Sequence, residues 1–260
     1  MCRLLLLIDK KFDENIIKKF INQSITKKNT PGIKYNFDKN YHKEGYGFAW
    51  MNNNKWKLYK KEKCFNEDNN LKNIIKDITK NNNNNVLIGH IRSNKNLPFE
   101  KNYYNTHPFK YKENIWCHNG IIDNFLEFKE IHIKKIKSDY IKNINGTTDS
   151  EFLFYLFLSQ LNSNSLHDLN ICIINFFKIL EKYNNKISAN IIYSNSKYTL
   201  ITRYINSNNE CPSLYYSLNE SILISSEPLT KNYEIVKNHT GVIIDNNNKL
   251  ILNKFKFNNY

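Results

Sequence analysis

The chain has 260 residues, 40% hydrophobic and 14% aromatic, which is enough apolar content to bury one sizeable core without splitting into two domains. Its formal charge of +14 is carried by Lys scattered among Asn and Ile, with no Arg-rich stripe or aromatic stacking motif, so A/T-rich coding explains the excess and nucleic acid is not the expected partner. No apolar stretch approaches the roughly 20 residues of a membrane span, and the five cysteines (Cys2, Cys64, Cys117, Cys172, Cys211) are odd in number with no Cys-x-x-Cys pair, which points away from membranes, disulfide frameworks and zinc and towards a reducing, cytoplasmic setting.

Met1-Cys2-Arg3 precedes an apolar run, Leu4 to Ile8, too short for a signal-peptide core and suited to a buried strand. Removing Met1 leaves Cys2 with a thiol and a free α-amine on one residue. A thiol with a reference pKa of about 8.5 is mostly protonated at neutral pH, whereas an α-amine near 8 is partly neutral there and can take its proton. Gly47 to Met51 and Lys55 to Lys60 read as a hairpin turning at Asn52-Asn53-Asn54, and Leu71 to Ile78 as a helix. Asn81 to Asn85 reads as a solvated loop insertion. Val86 to Arg92 and Ile115 to His118 read as buried strands. Asp149 to Leu161 reads as a helix opened by Thr148 and Glu151 in a capping-box pattern, followed by a largely buried helix over Leu169 to Lys182. Ile187 to Phe257 reads as short strands separated by Asn and Ser turns. Strands, two central helices, then strands fit an α+β architecture of two packed sheets between helical layers.

Four downstream segments change the weight of Cys2. They are His42-Lys43-Glu44-Gly45-Tyr46-Gly47-Phe48-Ala49-Trp50; Gly89-His90-Ile91-Arg92 with Asn105-Thr106-His107-Pro108-Phe109; Trp116-Cys117-His118-Asn119-Gly120; and Gly146-Thr147-Thr148-Asp149-Ser150-Glu151. With Cys2, Arg203-Tyr204 and Ser226-Glu227-Pro228-Leu229, they occur in an order that resembles the class II glutamine amidotransferases, whose glutaminase domain is an N-terminal-nucleophile hydrolase. The chain looks most like the stand-alone members, and the resemblance runs from Cys2 to about Leu229.

The resemblance implies a four-layer αββα sandwich, one glutaminase domain over residues 1–260, and a cysteine-dependent hydrolase with no cofactor. Cys2 is the expected nucleophile, and the Asn119 side chain with the Gly120 N–H the expected oxyanion donors. Read alone, Asn-Gly is a strand-terminating turn. Arg92 has the fork that matches a substrate α-carboxylate, and Asp149 can accept from the α-ammonium; alone, they read as a surface Arg and a helix cap. His118 is placed with them on the substrate side. His42, His90, His107 and His118 lack a ligand pair one helical turn apart, so they are read as hydrogen-bonding groups and not a metal site.

The family pattern carries small residues, a Ser or Thr, and a Gly after the Arg, where this chain has Ser93-Asn94-Lys95-Asn96, in a loop that the resemblance places beside the substrate. Glu44 and Tyr46 stand where the family has Asp and Trp. The expected substrate is glutamine or a related γ-glutamyl compound, with a separate synthase or hydrolase subunit as partner. The alternatives are a γ-glutamyl peptide hydrolase subunit of the glutathione type and a catalytically silent scaffold.

Overall fold

A computed structural model describes residues 2–26, 29–33, 42–80, 85–93, 101–207 and 211–257. In chain order the strands are β1 (Arg3–Ile8), β2 (Tyr46–Asn52), β3 (Lys55–Lys61), β4 (Val86–Ile91), β5 (Phe109–Tyr111), β6 (Asn114–Ile122), β7 (Ile187–Ser194), β8 (Tyr198–Arg203), β9 (Tyr215–Leu218), β10 (Ile222–Ser225), β11 (Glu234–Ile235), β12 (Thr240–Asp245) and β13 (Leu250–Lys256). The α-helices are α1 (Glu14–Asn22), α2 (Leu71–Lys80), α3 (Phe125–His132), α4 (Ser138–Ile141), α5 (Asp149–Gln160) and α6 (Leu166–Glu181).

The strands form a seven-stranded sheet ordered β11-β9-β10-β1-β4-β2-β3 and a six-stranded sheet ordered β13-β12-β8-β7-β6-β5. Side chains alternate across each strand, and three apolar layers result. Leu5, Leu7, Phe48, Trp50 and Leu87 pack beneath Ile17, Phe20 and Ile21 of α1 and Ile75 and Ile78 of α2. Leu4, Leu6, Ile8, Ala49 and Ile88 pack between the sheets against Ile115, Cys117, Ile192 and Ile201. Trp116, Ile191, Tyr193 and Leu200 pack against α5 and α6. The fold is thus the αββα sandwich. Because β1 is covered on both faces, it is apolar at five consecutive positions, without the alternation of a half-exposed strand.

Local chemistry explains the element ends. Asn53 and Asn54 have φ of 49° and 60°, the paired left-handed conformation of a type I′ hairpin, which Asn tolerates better than most residues. The Thr148 hydroxyl accepts from the Glu151 N–H at 3.3 Å, capping α5 as expected. The reciprocal half of the capping box is replaced, because the Glu151 carboxylate instead accepts from the backbone N–H groups of Gly146 (2.6 Å) and Asn145 (3.2 Å). β6 departs further from expectation. It does not end in an Asn-Gly turn after His118 but continues to Ile122, paired with β7 through Asn119↔Asn190 and Gly120↔Ala189. Gly120 serves a close approach rather than a turn, since a Cβ there would lie 1.8 Å from the Ser188 carbonyl oxygen.

Candidate active site

β1 and β4 pair with Arg3 opposite Ile91, so the next residues outward, Cys2 and Arg92, meet at the end of that ladder. The Ser93 N–H donates to Cys2 Sγ at 3.4 Å, and the Ser93 carbonyl lies 3.7 Å from the same sulfur. One backbone unit can therefore serve thiolate and thiol in turn. Among the five cysteines, Cys2 is the one that is not buried, and none is joined in a disulfide. Asn94 to Asn96 lie outside the described residues.

The Arg92 N–H donates to the Gly45 carbonyl at 2.8 Å, which ties the β4 end to the loop before β2. Gly45 has φ +130°, and a Cβ there would meet the Lys61 carbonyl at 2.9 Å, so glycine is required. Arg92 is 4% exposed. Burial lowers its pKa, and the charges of Cys2, Glu44 and Asp149 oppose that shift, which places all three within electrostatic reach of the guanidinium.

Cys117 belongs to the layer between the sheets, and Trp116 to the layer facing the helices. Strand alternation then puts Asn119 on the inter-sheet face, as it does Leu4 and, one residue outside β1, Cys2. Cys2 and Asn119 thus come from opposing sheets onto one shared face. Cys117 shares it too, but the side chain is fully enclosed and burial raises its pKa well above the usual thiol value.

His118 points the other way. Its Nε2 lies 3.1 Å from the Ser188 carbonyl and its Nδ1 2.8 Å from Ser150 Oγ, so both ring nitrogens meet protein groups. Asp149 Oδ2 accepts from the Ile122 N–H at 3.0 Å, and Oδ1 from Ser150 at 3.2 Å. A carboxylate has lone pairs beyond these two bonds, so it remains able to take an ammonium. His90 donates from Nε2 to the His118 carbonyl at 3.2 Å and stacks on His107 with ring centroids 4.0 Å apart. Burial pulls His90 down to about 3 and His107 well below its ordinary value, so these rings are neutral packing groups at physiological pH.

Asn105 clamps the loop before α5, accepting from the Thr147 N–H at 2.8 Å and donating to Thr147 Oγ1 at 3.0 Å. Lys60 donates to the Thr106 carbonyl at 2.8 Å, its pKa lowered to about 8 by burial against the opposing effect of Glu151. Two residues to which the sequence reading gave no role lie beside Cys2. Arg3 and Glu227, 1% and 3% exposed, form an ion pair at 2.5 Å, and Arg3 Nη1 donates to the Cys2 carbonyl at 3.4 Å. A lone cation in a strand otherwise apolar was the available signal, since a charge so placed needs a buried partner.

Residues 32–209 match the family Glutamine amidotransferases class-II. The Saccharomyces cerevisiae protein named Probable glutamine amidotransferase DUG3 is 29% identical over 160 residues, covering 51% of this chain and 45% of that protein. The chain therefore aligns with under half of that relative's length. Among solved structures, a glutamine aminotransferase class-II domain protein from Silicibacter pomeroyi superposes with a TM-score of 0.66 at 18% identity, covering 98% of this chain and 99% of that one. Glutamine phosphoribosylpyrophosphate amidotransferase from B. subtilis, complexed with ADP and GMP, gives 0.62 at 13% identity, covering 99% and 49%. The two structural likenesses show the shared fold. The chain belongs to the class II glutamine amidotransferases, enzymes that use a cysteine nucleophile.

Proposed function

We propose that this chain, as a single glutaminase domain acting in the cytoplasm, hydrolyses the side-chain amide of glutamine or a related γ-glutamyl compound through a thioester on Cys2. The Cys2 thiolate attacks the γ-carbonyl, and the tetrahedral oxyanion is met by the Asn119 side chain and the Gly120 N–H. The α-ammonium of Cys2 protonates the leaving amine, the thioester forms, and water activated by the same amine releases the acid and restores the thiol. Arg92 and Asp149 hold the substrate's α-carboxylate and α-ammonium. His118, expected on the substrate side, is hydrogen-bonded to Ser150, the neighbour of Asp149. The observation that supports this reading is the pairing of β1 with β4, which brings Cys2 and Arg92 together at one ladder end, while His90 of the same strand bonds the His118 carbonyl, next to Asn119. Incubating the protein with a panel of γ-glutamyl amides and peptides and assaying released amine tests it. Release from simple amides supports glutaminase chemistry feeding a separate synthase subunit, whereas release from peptides alone supports the glutathione-type alternative.

Two expected outcomes follow from the proposed nucleophile. Intact-mass measurement finds the active protein beginning at Cys2, because a preceding residue converts the required amine into a peptide nitrogen; full activity with Met1 retained removes the mechanism. An electrophilic glutamine analogue labels Cys2 and not Cys117, whose enclosed thiol is held in the protonated form. Labelling at Cys117, with Cys2→Ala still active, moves the active site.

A further inference from the structure

We propose that the buried Arg3–Glu227 ion pair is a positioning device for the nucleophile, setting the backbone of Cys2 from the opposite face of the sheet; this rests on Cys2 being the reacting residue. Strand alternation is the starting point. Leu4 faces the other sheet while Leu5 and Leu7 face the helices, so the Arg3 side chain leaves β1 on the helical side and Cys2 on the inter-sheet side. Arg3 therefore cannot reach a substrate bound at Cys2. What it reaches is the Cys2 carbonyl, at 3.4 Å from Nη1, while its Nε lies 2.5 Å from Glu227 Oε1.

Glu227 is itself fixed on every side. Its Oε2 accepts from the Asn29 N–H at 2.9 Å, and its carbonyl accepts from Gln23 Nε2 at 3.3 Å and from the Ser225 hydroxyl. The preceding residue completes the brace: Ser226 Oγ accepts from the Leu4 N–H at 2.8 Å, and the Ser226 N–H donates to the Leu4 carbonyl at 3.0 Å. Among the described residues, the Cys2 side chain is held by its thiol contacts with Ser93, and a chain terminus left to itself frays. The segment 225–227 and the end of α1 thus transmit a fixed position to Arg3, and Arg3 hands it to the peptide carrying the thiol and the amine. Two buried charges are a costly way to hold a strand that apolar packing already holds, since well-packed apolar replacements of such pairs are often neutral or stabilising. A positioning role gives the cost a return, because misplacing a reacting group by about 1 Å can lower a rate on the order of a hundredfold.

The test compares wild type with the double variant Arg3→Met plus Glu227→Leu and with the single variant Arg3→Lys, reading thermal stability, kcat and KM for glutamine hydrolysis. The double variant keeps apolar volume at both positions, so it is expected to melt near wild type yet lose kcat by about tenfold or more, with KM within about twofold. Arg3→Lys retains the charge opposite Glu227 but not a fork that spans both partners, and the same split is expected in a folded protein. A double variant that is stable and turns over like wild type overturns the proposal. If it does not fold, Arg3→Lys decides, and wild-type kcat there overturns it equally. Cys2→Ser run alongside separates the premise: undiminished turnover without the thiol refutes the nucleophile assignment, whatever the other variants do.

Discussion

Asn119→Ala is expected to lower kcat by on the order of a hundredfold or more while leaving KM for glutamine nearly unchanged. The oxyanion exists only after the thiolate adds to the carbonyl, so a donor aimed at it stabilises the transition state and does little for the bound ground state. The placement of Asn119 makes the substitution clean. Its side chain is 3% exposed on the inter-sheet face, and its backbone is held in the β6–β7 ladder opposite Asn190, so truncation removes an amide without releasing the strand. Steady-state kinetics with released glutamate as the readout, beside a melting curve close to wild type, checks it. A normal kcat in Asn119→Ala sinks the oxyanion assignment even though the fold stands.

The layered fold was legible because burial on two faces leaves an unbroken apolar signature. Leu4 to Ile8, Val86 to Ile91 and the segment from Asp149 carry it plainly, and each forms the expected element. Elements with one modest apolar face went unread. In α1 only Ile17, Phe20 and Ile21 are buried, and its Asp13 cap, accepting from the Asn15 N–H at 2.8 Å, was the local signal that could have marked it. Helices α3 and α4 are eight and four residues long, too short for periodicity to separate from noise. At the site, the motifs singled out candidate residues but not which way their side chains point. Period-two alternation could have divided Cys117 and Asn119 from Trp116 and His118, because it sends neighbours to opposite faces. The Asn-Gly dipeptide misled for a related reason. Turn propensity is local, whereas the need for glycine at position 120 comes from Ser188, far along the chain in another strand.

That long-range crowding yields the second large effect. Gly120→Ala retains the N–H proposed to meet the oxyanion, so a role confined to hydrogen bonding predicts an active enzyme. The geometry predicts otherwise. The added Cβ would lie 1.8 Å from the Ser188 carbonyl oxygen and 2.5 Å from His118 Nε2, and the first of these is backbone, unable to swing aside as a flexible side chain does. To fit the methyl, β6 and β7 must separate around the Ser188 carbonyl that meets His118, and the ring whose other nitrogen meets Ser150 must move with them. Overpacking a close contact of this kind costs about 2–3 kcal/mol, which for a chain of this size corresponds to roughly 5–10 °C in Tm. The same displacement moves Asn119 and disturbs the Ile122 N–H that donates to Asp149, so kcat falls and KM rises together. Thermal melts and steady-state kinetics on Gly120→Ala read both. Unchanged Tm would mean that β6 and β7 do not approach as closely as described, and a melting point that falls while both kinetic constants hold would detach the strand's position from the chemistry at Cys2.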